Sequence, residues 1–155
     1  MFKIQQGLAK MHPASGLLTL LMLLMLSIPV VVSAAEPALL QSAAGLIQET
    51  NNGLVWQMER SKKIRSLPAV EKYLHQLNQG PYHDWRLPTK WELYDFFSKF
   101  DLKKNGDINI SLEGSYWLKD DDGSIHAGSW ETGDQCGTER TFYTTKSGYL
   151  RAVRP

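Results

Sequence analysis

The chain has a single cysteine, Cys136, in 155 residues. No disulfide can form within it, so its stability must come from packing. Cys136 is open to three roles: a buried hydrophobe, a free thiol, or an intermolecular bridge. Arg140 is its one basic neighbour, which is thin support for an activated thiolate, and a loop thiol without a role is the plainer reading. Excess charge of one sign is also lacking. The 17 basic residues fall to 15 once Lys3 and Lys10 in the leader are set aside, against 16 acidic ones. Such a near-neutral domain lacks the basic footprint that nucleic-acid binding needs. There is no internal repeat, nucleophile elbow, phosphate loop or paired-carboxylate arrangement. His75, His83 and His126 show no metal-ligand spacing. Asp120-Asp121-Asp122-Gly123 starts like a calcium loop, but Ser124 and His126 do not complete it and no glutamate follows at the required place, so it reads as a polar hairpin turn. No metal or cofactor is expected.

Residues 1–35 have the three-part layout of a secretory signal peptide. Lys3 and Lys10 supply a positive start, Leu17 to Val32 an apolar run, and Val32-Ser33-Ala34-Ala35 small residues at a cleavage site. The run is shorter than the roughly 20 residues a spanning helix needs, and Pro29 interrupts it. Export is therefore expected, to the periplasm or the cell surface, with membrane attachment only if the signal stays uncleaved. Residues 36–45 read as a tether. The remainder, 46–155, is long enough for one domain with a real core, and it carries all five tryptophans.

The most strongly specified stretch is Asp84-Trp85-Arg86-Leu87-Pro88-Thr89-Lys90-Trp91-Glu92-Leu93. Pro88 pushes Leu87 into extended geometry, and Thr89 with Glu92 forms the T-x-x-E capping box of a helix running to about Phe100. Its apolar side is Leu93, Phe96, Phe97 and Phe100. An earlier helix is predicted from a Ser66 cap to about Asn78, with Leu67, Val70, Leu74 and Leu77 as its buried face. Asn52-Gly53 predicts a hairpin joining 46–50 to 54–58. Further strands are expected at 115–118 and 124–130, and a closing pair at 140–144 and 149–153 across Lys146-Ser147-Gly148. Two helices among short antiparallel strands make an α+β domain.

Four ordered anchors carry a family resemblance: Gly53-Leu54-Val55-Trp56-Gln57, the Asp84 to Leu93 corner, Tyr116-Trp117, and Arg151-Ala152-Val153-Arg154. Together they resemble the Lcl C-terminal domain family, the module that ends a bacterial collagen-like adhesin and occurs in other exported bacterial proteins. The resemblance spans about Gly53 to Arg154 and implies a C-type lectin-like fold, with two helices packed on short irregular antiparallel sheets. Relatives carry cysteines where Leu74 and Ala152 stand here, and serines in place of Leu118 and Lys119. The corner also resembles the formylglycine-generating enzymes, but their chemistry needs a cysteine pair that this chain lacks.

Within that frame, Trp56, Asp84, Trp85, Arg86, Pro88, Thr89, Glu92, Trp117 and Arg151 are expected to serve the architecture. Trp91 and Trp130 lie outside the motif's apolar pattern and are candidates for an exposed aromatic platform that stacks on sugar rings. Arg60, Lys62, Lys63 and Arg65 form the densest basic patch, suited to sulfated or carboxylated glycans, though short charge runs are usually plain surface. Glycosaminoglycan binding by the adhesin, through the resemblance, adds weight to the functional reading. The expected function is a non-catalytic binding or adhesion module for glycan or another cell-surface polymer. The alternatives are an envelope assembly subunit that binds another protein and a divergent formylglycine-type enzyme.

Overall fold

The computed structural model describes residues 36–42, 44–132 and 140–155. The signal segment and Cys136 lie outside the described residues. The elements run β1 (Leu39–Gln41), β2 (Leu46–Glu49), β3 (Val55–Gln57), α1 (Leu67–Leu77), α2 (Lys90–Asp101), β4 (Tyr116–Lys119), β5 (Ile125–Thr132), β6 (Arg140–Thr145) and β7 (Val153–Arg154). Among the described residues they form an α+β domain with two helices and two antiparallel sheets, one of four strands in the order β1-β2-β3-β7 and one of three in the order β4-β5-β6.

Side-chain alternation along these strands divides the core in two. On β4, Tyr116 and Leu118 face one cluster while Trp117 faces the other, as the two-residue period of a strand requires. The first cluster holds Leu39, Ile47, Trp56, Leu93, Phe96, Ile108, Tyr116, Leu118 and Val153, so it joins the four-stranded sheet, α2 and one face of the three-stranded sheet. The second gathers Val70 of α1 with Trp85, Leu87, Trp117, Ala127, Leu150 and Ala152. In the first cluster Trp56 stacks on Phe96 with ring centroids 4.3 Å apart and planes 18° from parallel, an aromatic contact that adds to the gain from burial alone.

Three sequence expectations are corrected. Residues 36–45 are not a simple tether: β1 pairs with β2 from Leu39 opposite Glu49 to Gln41 opposite Ile47, and Leu39 is core. The closing strands do not form a hairpin. β6 pairs with β5, and β7 pairs with β3 in the other sheet. Gly148 sits between them because the backbone passes close by, not because the chain reverses. It exchanges hydrogen bonds with Ile64 at 2.7 and 3.0 Å, and a Cβ there would lie 2.8 Å from the Ser115 carbonyl oxygen. Leu67, placed on the buried face of the first helix, is exposed; Val70 takes the fully buried position, with Leu74 and Leu77 partly buried.

The Asp84–Thr89 corner connects the two sheets. Arg86 and Val153 exchange backbone hydrogen bonds of 2.9 and 3.0 Å, anchoring the corner on β7. The Lys119 amide donates to the Pro88 carbonyl at 3.0 Å, anchoring it on β4. The Asn78 side chain brackets Trp85, accepting from its amide at 2.8 Å and donating to its carbonyl at 2.9 Å. A loop pinned at three points holds the start of α2 at a defined place.

Candidate functional site

At that start, Thr89 Oγ1 accepts from the Glu92 amide at 3.1 Å, and Glu92 Oε2 accepts from the Thr89 amide at 2.8 Å, completing the capping box. Arg86 reaches over and donates to both Glu92 oxygens at 2.7 Å. Burial raises the Glu92 carboxyl, but the Arg86 and Thr89 bonds outweigh it together and hold the group below its ordinary range. The same pairing raises the Arg86 guanidinium. The arrangement is a brace in which the two charged groups satisfy each other.

The other motif residues are similarly committed. Trp56 is fully buried and donates its indole N–H to Glu49 Oε1 at 2.7 Å. Trp85 and Trp117 are buried, and Trp117 donates to the Ile64 carbonyl at 3.2 Å. Asp84 pairs with Arg154 at 2.7 Å, and that bond holds its carboxyl below the usual range. Arg151 is buried and donates to the carbonyls of Gln57 at 2.7 Å, Ser111 at 3.1 Å and Met58. Burial pushes its guanidinium below the ordinary value.

The basic patch separates into two parts. Arg60 turns inward, with its guanidinium 3.6 Å from the Tyr149 ring centroid and a hydrogen bond of 3.0 Å to the Tyr116 hydroxyl. A surface group is thus converted into packing by the two tyrosines beneath it. Lys62 and Lys63 stay exposed and line a depression of about 300 Å³ with Lys72 of α1, which the linear sequence did not associate with them. Arg65 is exposed and does not line it.

The two candidate tryptophans do come together. Trp91 on the first turn of α2 and Trp130 on β5 have ring centroids 5.8 Å apart. Trp91 is 60% exposed. Trp130 is half-buried, a correction to its expected exposure, because Tyr94 at 4.9 Å and Phe142 at 5.2 Å pack edge-on against it. Lys90 places its ammonium 5.8 Å from the Trp130 ring centroid and 5.3 Å from that of Phe142. The result is a shelf with an open indole outside, a supporting aromatic layer inside, and a cation alongside.

Helical and strand periodicities build this shelf. Tyr94 lies three residues after Trp91, on the same face of α2, and Phe142 lies directly opposite Trp130 in the β5–β6 ladder. Gly128 makes room for Phe142: a Cβ there would lie 2.2 Å from the Phe142 ring. Sequence reading missed Lys90, Tyr94 and Phe142. The i, i+3 spacing of Trp91 and Tyr94 was the one available signal; the β5–β6 register was not.

A second concavity, a cleft of about 600 Å³, opens between α1, the corner and the β4–β5 turn. The turn has the expected polar hairpin geometry, with the Ser124 amide donating to Asp122 Oδ1 at 2.9 Å. Among the described residues no group of three His, Cys, Asp or Glu side chains could hold a metal ion, and no helix is long and apolar enough to cross a membrane. No family model, curated protein or solved structure matches the chain. Among the described residues the chain is an α+β domain of two helices and two small antiparallel sheets.

Proposed function

We propose that this chain is an exported, non-catalytic binding module of the Lcl C-terminal type with a C-type lectin-like fold. Its shelf of Trp91, Tyr94 and Trp130 takes a glycan or another cell-surface polymer. The observation that carries this reading is the exposure of Trp91 on an ordered aromatic support. A single exposed hydrophobic side chain is ordinary surface, but Trp91 continues into Tyr94 and Trp130 as one contiguous aromatic patch, the kind of surface that marks a contact site. Sugar rings present C–H faces that suit a flat indole, and Lys90 beside the shelf suits a carboxylate or sulfate on the same polymer.

A glycan array probed with the protein and with Trp91→Ala tests the proposal. Binding to a defined subset of glycans should appear and should fall by about thirtyfold in the variant, as for an aromatic hot spot worth about 2 kcal/mol. A blank array, or binding unchanged in Trp91→Ala, sinks the shelf as the site. One stoichiometric protein recovered from envelope extracts beside a blank array would favour the assembly role instead.

A further inference from the structure

The cleft of about 600 Å³ has no part in the shelf and shares none of its aromatic residues. Its volume falls within the range of small-molecule sites, roughly 300–1,000 Å³. The apolar lining comes from Leu74, Trp85, Leu87 and Ile125. Around them stand Glu71 of α1, Asp120 and Asp121 of the β4–β5 turn, and two cations, Arg86 and Lys119.

The charges do not cancel. Arg86 is already neutralised by its two bonds to Glu92. Among the described residues Asp120 has one ion-pair partner, His126 Nε2 at 3.4 Å. Glu71 and Asp121 are exposed, and neither has a cationic partner within 4.0 Å among the described residues. Among the described residues that line the cleft, Lys119 is the one cation without a carboxylate partner, against three carboxylates, and its chain runs toward the turn, with Cε 3.9 Å from where a Gly123 Cβ would stand. An apolar recess bordered by surplus negative charge favours a ligand with an apolar body and a positive end.

We propose that this cleft is a binding site for a small amphipathic organic cation: an aromatic or aliphatic body seated on Leu74, Trp85, Leu87 and Ile125, and an ammonium facing Glu71 and Asp121. The site is independent of the shelf and of any glycan specificity. The architecture supplies its rigidity, because Trp85 is bracketed by Asn78 and Leu87 lies in the doubly anchored corner.

The test uses tryptamine as the cationic probe and indole-3-acetate as its anionic counterpart, titrated into isotope-labelled protein and followed by NMR. Tryptamine should shift the amide signals of Leu74, Trp85 and Ile125 and bind about fivefold more tightly than indole-3-acetate, the discrimination that one or two solvent-exposed charge contacts can supply. The double variant Glu71→Gln, Asp121→Asn alters exposed groups only and should remove that preference while leaving the fold intact. Trp91→Ala should leave tryptamine binding unchanged, which separates this site from the shelf. Equal affinity for the two probes, no saturable binding of tryptamine, shifts centred outside the cleft, or a preference that survives the double variant would overturn the proposal.

Discussion

Helix α2 presents two aromatic groups to the rest of the molecule, and they differ in almost every physical respect. On its inner side Phe96 stacks on Trp56, both fully buried, and Lys99 pairs with Glu49 at 2.9 Å, with only 7% and 1% of their side chains exposed. On its outer side Trp91 and Tyr94 meet Trp130 at the surface. The inner group has every polar atom engaged: Glu49 also accepts from Trp56 Nε1 at 2.7 Å and Asn52 Nδ2 at 2.8 Å, and Lys99 reaches Asp95 as well. The outer group leaves an indole in water. Within one helix, inward residues serve stability and outward ones remain free for contact, so substitutions on the two sides should separate folding from binding.

The largest effect should come from Lys99→Met. It leaves the Glu49 carboxylate buried without its cation, a loss of about 3–5 kcal/mol for a broken buried pair, read by urea unfolding. Adding Glu49→Gln should recover part of that loss: the amide oxygen can still accept from Trp56, while its NH2 replaces the oxygen that accepts from Asn52. If the double variant is no more stable than Lys99→Met, the cost lies in lost packing of the lysine stem and not in the unpaired charge.

Gly128→Ala should follow, at about 1–3 kcal/mol for overpacking. The added methyl would meet the Phe142 ring and the Tyr143 carbonyl, at 2.2 and 2.6 Å before any relaxation. Phe142 must move, and Trp130 loses its support. This variant should weaken both stability and glycan binding, linking the two sides of the comparison through one strand. Retained stability and binding would show that the ring has room to swing away.

Glu92→Gln should cost about 1 kcal/mol through the weakened cap and the lost Arg86 pair. The pH dependence has a definite sign. The folded carboxyl is held below the ordinary glutamate value of 4.5, so its contribution is full above that value and is lost as pH falls through the lower folded value. Urea midpoints for wild type and variant should therefore stay a constant distance apart above pH 4.5 and converge as the pH falls below it. A gap independent of pH would assign the effect to shape alone.

The parts of the fold readable in the sequence were those made by neighbours in the chain. Thr89 and Glu92 sit three residues apart, so their mutual capping is visible without a structure, as is the Asn52-Gly53 turn, where Gly53 has φ of 77°. The parts that escaped depend on partners far away. β1 is a strand because Leu39 finds the first core cluster, and Lys146-Ser147-Gly148 looks like a turn although Gly148 serves a close backbone approach. The site followed the same division. Trp91 and Trp130 stood out as tryptophans beyond the motif pattern, whereas Phe142 joined them only through strand register, and Arg60 left the basic patch because Tyr149 and Tyr116 lie under it.

Trp91→Ala should have the smallest effect on stability and is the most direct test of the outer side. Trp91 is 60% exposed, so its truncation removes little buried surface and should change unfolding free energy by no more than about 0.5 kcal/mol, the usual range for a surface substitution. The contacts it gives up are the tilted pairing with Trp130 at 5.8 Å and the edge contact with Tyr94 at 6.0 Å. Tyr94 and Phe142 still hold Trp130 at 4.9 and 5.2 Å, so the inner layer should keep its place. A urea midpoint close to wild type together with lost glycan binding would assign Trp91 to contact. A midpoint shifted as far as that of Gly128→Ala would mean that the outer indole is part of the packing after all, and the two sides of α2 would then differ in degree and not in purpose.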